Sequence, residues 1–313
     1  MDHRVRLSGA VGLVMLLAIS AACQAGEPAS RRQPDRNRPE ADARAGAGVD
    51  ATKVLVVIEE NHTLEQMRDG MPYLAQLSTT YGYATHWTAI THPSLPNYLA
   101  IAGGTTYGIT DDRSPAAHVD DIANAPSVFD QAITAGKTAL TYAESMPQNC
   151  HVYDYPDRAD GTPTYAVRHN PWTYYGAGHD DCLAHDVSLD NFAHDAESNQ
   201  LPNVGFLIPD ITHDAHDGSL AAADAWLEQQ LTPVLASDDF RTGHLVVVVT
   251  ADEDDRSADN TVLTSVLTPA LSGKVVDTPL THYSLTRYLA QVVGAEPLGE
   301  GEHAPDLAAA FGL

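Results

Sequence analysis

Three short acidic stretches carry the residue types most able to do chemistry in this 313-residue chain: Glu59-Glu60-Asn61-His62, Asp210 to Asp217, and Asp252 to Asp255. Carboxylate and amide oxygens beside imidazole nitrogens suit a hard or borderline divalent cation. A fourth stretch, THPSLPNYLAIAGG, places Ser94 two residues before Pro96 and three before Asn97. A serine there has two readings. It caps a helix, because serine is a favoured cap and proline suits a first helical turn. Alternatively it is a nucleophile at a helix mouth, where free backbone N–H groups meet an anion and Asn97 adds a side-chain donor. A serine hydroxyl attacks poorly until its pKa falls, and a cation shared with the acidic stretches would lower it. Thr91 is the rival hydroxyl, but the Pro-Asn sequel does not follow it.

Each acidic stretch ends an apolar run. KVLVVIEEN, VGFLIPDITHDAHD and HLVVVVTADEDD all begin with β-branched and aliphatic residues that do not alternate with polar ones. Such runs predict strands of a parallel sheet buried on both faces. Helical patterns lie between them, at Pro126 to Ala135, Leu220 to Leu235 and Tyr283 to Val293. Alternating strand and helix predicts a layered α/β fold. Ligands of such folds gather at the carboxyl ends of the strands, which is where the three acidic stretches fall. Cys150 to Asn191 is irregular and rich in Tyr, Asp and His, and reads as a long insertion over that end.

The net charge is −25, from 17 Lys and Arg against 42 Asp and Glu. That argues against nucleic acid as a partner and against an anionic membrane held through a basic patch. An acidic protein acting on an anionic substrate needs cations at its site. Residues 1–23 have a basic head at Arg4 and Arg6, a short apolar run and small residues before Cys23, the pattern of an export signal. The stretch ISAAC resembles a lipoprotein cleavage box, so the expectation is an exported protein, either anchored through a lipid on Cys23 or secreted after cleavage behind Ala22. Residues 24–50 lack apolar periodicity and read as a disordered tether, leaving 51–313 as one catalytic domain. Cys150 and Cys182 are expected to pair in an exported protein.

VLVVIEENHT, THPSLPNYLAIAGG, GITDD, RHNPWTYY, PDITHDAHD, VVVVTADEDD and THYSLTRYL resemble, in order, the bacterial phosphoesterase family. That family holds secreted acid phosphatases, phosphatidylinositol-3-phosphatase-like enzymes and phospholipases C, within the alkaline-phosphatase-like superfamily. The resemblance implies a three-layer α/β/α sandwich with a mostly parallel central sheet. It implies metal ligands at Glu60, Asn61, Asp252 and Glu253, with Asp214 beside them, and a nucleophile at Ser94. His216 and His282 would bind the phosphoryl group or protonate the leaving alcohol, and Asn97 and His169 would touch substrate. The cofactor implied is one or two divalent ions (calcium, magnesium, manganese, zinc or iron).

The chain departs from the family pattern at Ala251, where tryptophan is common, at Arg256, where glycine is common, and at His213, often asparagine. These departures bear on substrate size more than on reaction class. The expected activity is hydrolysis of phosphomonoesters through a serine phospho-enzyme. A phospholipase C-type phosphodiesterase is the nearer alternative, and a non-catalytic metal- or phosphate-binding lipoprotein the more distant one. His62 is read as a capping or supporting residue, and Asp111, Asp112, Asp254 and Asp255 are left without a role.

Overall fold

The computed structural model describes residues 51–156 and 162–313. The expected export signal and tether, 1–50, lie outside the described residues. Ten strands form in chain order: β1 (Lys53–Glu59), β2 (Gly82–Ala84), β3 (Trp87–Thr88), β4 (Ala139–Ala143), β5 (Asp186–Ser188), β6 (Val204–Ile208), β7 (Leu245–Ala251), β8 (Thr264–Leu267), β9 (Lys274–Val276) and β10 (Leu280–Thr281). Eight of them make one sheet in the order β5-β4-β6-β1-β7-β8-β2-β9, while β3 and β10 pair separately.

The three apolar runs become β1, β6 and β7, which lie side by side and parallel. Every residue of β6 and β7 is buried, as are six of the seven in β1. Burial on both faces explains why none of the three alternates. The pairing turns antiparallel only where β8 meets β7 and β2. Helices cover both faces. The Ser94–Gly103, Val128–Thr134 and His282–Val293 helices pack together, and the Leu64–Gly70, Pro72–Thr80, Phe192–Glu197 and Leu220–Ala236 helices form the other group. The result is the three-layer, mostly parallel α/β sandwich that the family resemblance implies.

Local signals set the helix bounds. Ser127 caps the Val128–Thr134 helix in a reciprocal box with Asp130, so it starts two residues after Pro126. The Leu220–Ala236 helix runs past Pro233. The last of the three begins at His282, and Gly294 ends it in the left-handed conformation that glycine adopts without strain.

The irregular middle section is stapled by the Cys150–Cys182 disulfide, with Cα atoms 5.5 Å apart across a sequence separation of 32. Asp186 is fully buried beside it. Its carboxylate accepts from Asn170 Nδ2 at 2.9 and 3.0 Å, and Cys182 Sγ lies 3.7 Å from it. The staple therefore supports the turn that carries His169. A closed loop of this length constrains the unfolded chain by about 3–4 kcal/mol. Replacing both cysteines by serine should lower denaturant-unfolding stability by about that much, and a loss below about 1 kcal/mol would show that the staple does not brace the fold.

Candidate active site

The register of β1 against β7 sets the site. Glu59 lies opposite Ala251, and Asp252 N donates to Glu59 O at 2.9 Å. The next residues of both strands, Glu60 and Asp252, therefore leave the sheet side by side. Asp214 arrives from the turn after β6, where its carbonyl accepts from Glu60 N at 2.7 Å. Glu60, Asp214 and Asp252 are all fully buried.

Ser94 is the first residue of its helix, and Pro93 occupies the cap position. Its hydroxyl does not turn back on the helix. Ser94 Oγ donates to Glu60 Oε2 at 3.0 Å, and the hydroxyl lies beside the Asp252 carboxylate. The capping reading of Ser94 is replaced by a contact with two distant acids. Thr91 turns away, donating to His92 O at 3.3 Å.

Tyr98, one helical turn after Ser94, donates to Glu60 Oε1 at 2.6 Å and stacks on His169 with ring centroids 5.3 Å apart. His169 stands between two acids, with Nε2 3.2 Å from Glu60 Oε1 and Nδ1 3.0 Å from Asp214 Oδ2. Neither approach has hydrogen-bond geometry, so both ring nitrogens are buried without a partner. Asn61 Oδ1, Asp252 Oδ2 and Asp214 Oδ2 are orphaned in the same way. Unpaired buried polar atoms are costly and rare. Five of them in one pocket, oxygens and imidazole nitrogens together, fit a divalent cation. Donor atoms of Glu60, His169 and Asp214 lie within 4.8 Å of one another. Asn61 and Asp252 form a second group beside Ser94, with Asn61 N donating to Asp252 Oδ1 at 3.3 Å.

Electrostatics point the same way. Burial, then the neighbouring Asp252 and Asp214, pushes the Glu60 carboxyl well above the usual range. Burial pushes Asp252 up to about 7 and Glu253 up to about 9. Burial, with Arg168 and His216 nearby, holds His169 well below the ordinary histidine value, so it is neutral and able to act as a ligand.

The contacts of three expected site residues are now visible. The Asn97 side chain is engaged within the protein. Its Oδ1 accepts from Ile90 N and Thr91 N, and its Nδ2 donates to Thr91 O, Pro93 O and Glu253 Oε2. The amide is fully used in folding the turn before Ser94. His282 is likewise engaged, at both ring nitrogens. Trp87 Nε1 donates to its Nδ1 at 3.2 Å, and its Nε2 donates to Asp252 O at 2.6 Å. Buried and pushed down to about 4 by desolvation, it is a neutral strut under the end of β7. His169 sits among the carboxylates as a cation ligand would, rather than among substrate contacts. The expected array of free N–H groups at the helix mouth is also reduced, since Leu95 N donates to Asp112 and Pro96 has no N–H.

Glu253 stands slightly aside, 3.1 Å from His92 Nδ1. Asp254, unassigned from the sequence, ties its own loop by accepting from the backbone N–H groups of Arg256, Ala258 and Asn260. His62 supports the site through Glu60 O, 2.7 Å from its Nδ1, and Thr63 does the capping. Tyr98 and Arg168 were missed. Tyr98 follows Asn97 directly, but an aromatic on a buried helix reads as packing. Arg168 had a signal, because it precedes His169 and an acidic site for anions needs a cation.

A serine hydroxyl buried against several carboxylates lies at the carboxyl end of a mostly parallel sheet, where α/β folds place their ligands. The solved structures agree on the fold. A protein of the alkaline phosphatase superfamily from Vibrio parahaemolyticus is 12% identical with a TM-score of 0.53, over 79% of this chain and 68% of that one. The lipoteichoic acid synthase LtaP of Listeria monocytogenes is 11% identical with a TM-score of 0.51, over 82% and 77%. The model of the Phosphoesterase family matches residues 66–296, and the chain belongs to that family. As a member it is a phosphoric-ester hydrolase. The phosphatidylinositol-3-phosphatase of Mycobacterium tuberculosis is 28% identical over 88% of this chain and 87% of its own length. The phosphate-repressible acid phosphatase of Penicillium chrysogenum is 31% identical over 69% of this chain. The chain spans about half the length of the fungal relatives that it matches.

Raised folded-state values give a signed prediction for the metal-free protein. Between the unfolded carboxyl value and the raised folded value, the native state holds protons that the unfolded chain has lost. Stability therefore falls as pH rises. In chelator the melting temperature should drop between about pH 5 and pH 9, the window set by Asp252 and Glu253. A saturating divalent cation should flatten most of that slope. Asp186, held at about 8 by burial away from the site, leaves a residual slope in both conditions. A metal-free profile that is flat or rises with pH would show that burial does not raise these carboxyls.

Proposed function

We propose that this protein is an exported, metal-dependent phosphomonoesterase acting through a phosphoserine at Ser94. The observation that carries this reading is the 3.0 Å hydrogen bond from Ser94 Oγ to Glu60, within a buried group of acids whose remaining oxygens have no partners. Glu60, Asn61, Asp252, Asp214 and His169 would hold one or two divalent cations, with Glu253 alongside. The cation supplies positive charge for the phosphoryl oxygens and lowers the pKa of the serine hydroxyl.

The chain's own groups do the rest. The Ser94 proton points at Glu60, which leaves an oxygen lone pair for in-line attack on phosphorus. The P–O bond to the leaving group breaks as the Ser94 O–P bond forms, the serine proton passes to Glu60, and the departing oxygen takes a proton from solvent water. Water then attacks the same phosphorus and returns the serine. Tyr98 and the Asp112 bond to Leu95 N fix the end of the helix, so the nucleophile does not have to be positioned at the moment of reaction. His216 stands at the rim and Asp214 anchors it, with His216 N donating to Asp214 Oδ1 at 2.7 Å.

Export is proposed from the composition of residues 1–50 alone, with Cys23 as the site of a lipid anchor or Ala22 as the point of release. The monoester preference follows the named relatives, which are phosphatases.

Ser94→Ala tests the nucleophile. Turnover of nitrophenyl phosphate should fall by at least about 1,000-fold while metal content, measured by elemental analysis, stays within about twofold. Acid quenching of the wild type with labelled substrate should trap phosphate on Ser94. Retained turnover in Ser94→Ala would remove the covalent route. Faster hydrolysis of the bis-ester and phosphatidylcholine than of the monoester would move the assignment to a phospholipase C-type phosphodiesterase.

A further inference from the structure

Arg168 is a half-buried cation in a site otherwise built from acids. It belongs to the short Val167–His169 turn and directly precedes His169. The fields of Glu60, Asp112, Asp154 and Asp214 hold its charge in place against burial. Each of those carboxylates already accepts a hydrogen bond from another group: Glu60 from Ser94 and Tyr98, Asp112 from Leu95 N, Asp154 from Val167 N, and Asp214 from His216 N. Among the described residues, the guanidinium forms no ion pair, and its one hydrogen bond goes to His216 Nε2, 3.3 Å away.

That single contact is informative. A guanidinium only donates, so His216 Nε2 accepts. The His216 proton therefore sits on Nδ1, which donates to Asp217 Oδ1 at 2.8 Å. Asp217 and His216 together aim Arg168 and leave most of its N–H groups without a protein partner. The fork lies beside the pocket that holds Ser94, since it feels both Glu60 and Asp214 and its neighbour His169 contacts both.

We propose that Arg168, oriented by His216, is the specificity residue that selects a dianionic phosphomonoester over a monoanionic phosphodiester. This rests on the hydrolase reading above. The site carries several carboxylates, and a dianion brings two more charges into their field. A diester brings one charge and replaces a terminal oxygen by an alkylated one, which is a poor acceptor for a guanidinium. A monoester has three terminal oxygens and a diester two, so with one oxygen at the cation-binding acids only the monoester keeps two for a planar fork with unused donors. The same pairing keeps His216 from acting as a proton donor through Nε2 while Arg168 is bound to it.

The test uses the full chain with its metal, as wild type, Arg168→Met and Arg168→Lys, with metal content and melting temperature checked for each. With nitrophenyl phosphate, kcat/KM should fall about 30- to 100-fold in Arg168→Met, the range for a charge-assisted hydrogen bond. Bis(nitrophenyl) phosphate should lose no more than about threefold, and Arg168→Lys should recover part of the monoester loss. Calorimetry with inorganic phosphate and with dimethyl phosphate gives a readout without turnover. Phosphate should weaken at least about tenfold in Arg168→Met, and dimethyl phosphate little. Equal losses for both esters and both anions, or no loss for any, would overturn the proposal. If the wild type hydrolyses neither ester, the hydrolase reading fails, and the two anion titrations still decide the role of Arg168.

Discussion

Glu60, Asp214, Asp252 and Glu253 are packed into one buried patch at the carboxyl end of the central sheet, and the cost of keeping carboxylates there constrains everything around them. Removing a carboxylate from water is costly, and crowding it against others adds to the cost. The fold accepts this because the backbone leaves little choice. Glu60 and Asp252 follow two strands paired in register from Lys53 to Glu59 and from Leu245 to Ala251, and seven residue pairs, six of them buried on both strands, hold that register. A one-residue slip would turn every valine of β7 to the other face.

The neighbouring loops are arranged to keep the patch from relaxing. Asn97 binds the turn before Ser94 on one side and Glu253 on the other. Asn260 does the converse, taking Asp254 N on its side-chain oxygen and giving its amide to Thr91 O. The Ser94 turn and the loop after β7 therefore move as one piece. His282 carries this unit from below, through Asp252 O and Trp87. Residues that would read as reactive by type hold the reactive ones in place. From the other side, the insertion stapled by Cys150 and Cys182 brings in Arg168 and His169.

The fold and the chemistry are recorded at different places in the chain. The likeness to solved alkaline-phosphatase-type structures survives at 11–12% identity because the buried strands tolerate any apolar residue of suitable size. The family match runs over residues 66–296 and so includes Ser94, His169, Asp214 and the Asp252-Glu253 pair, while Glu60 and Asn61 lie just before it. Those two follow a strand whose register sets them in the same pocket as the rest.

Much of this was legible in the residues alone. Unbroken β-branched runs such as Leu245 to Val249 read as strands covered on both faces, and acids that end three such runs are expected at one end of a parallel sheet. The Cys150–Cys182 pair followed from there being two cysteines beyond residue 50 and from the expectation of export. Side-chain direction was not legible. Asn97, His169 and His282 have the types and the neighbours of substrate-binding groups, yet packing sends two of them into the scaffold and one among the carboxylates. Arg168 was overlooked because its importance depends on what surrounds it, and its carboxylate neighbours come from residues 60, 112, 154 and 214. Local pattern determines which segments form strands and helices, because that depends on the period of burial along a single chain. Which polar atom faces which is decided by contacts between segments more than 30 residues apart, and only the assembled tertiary structure contains them.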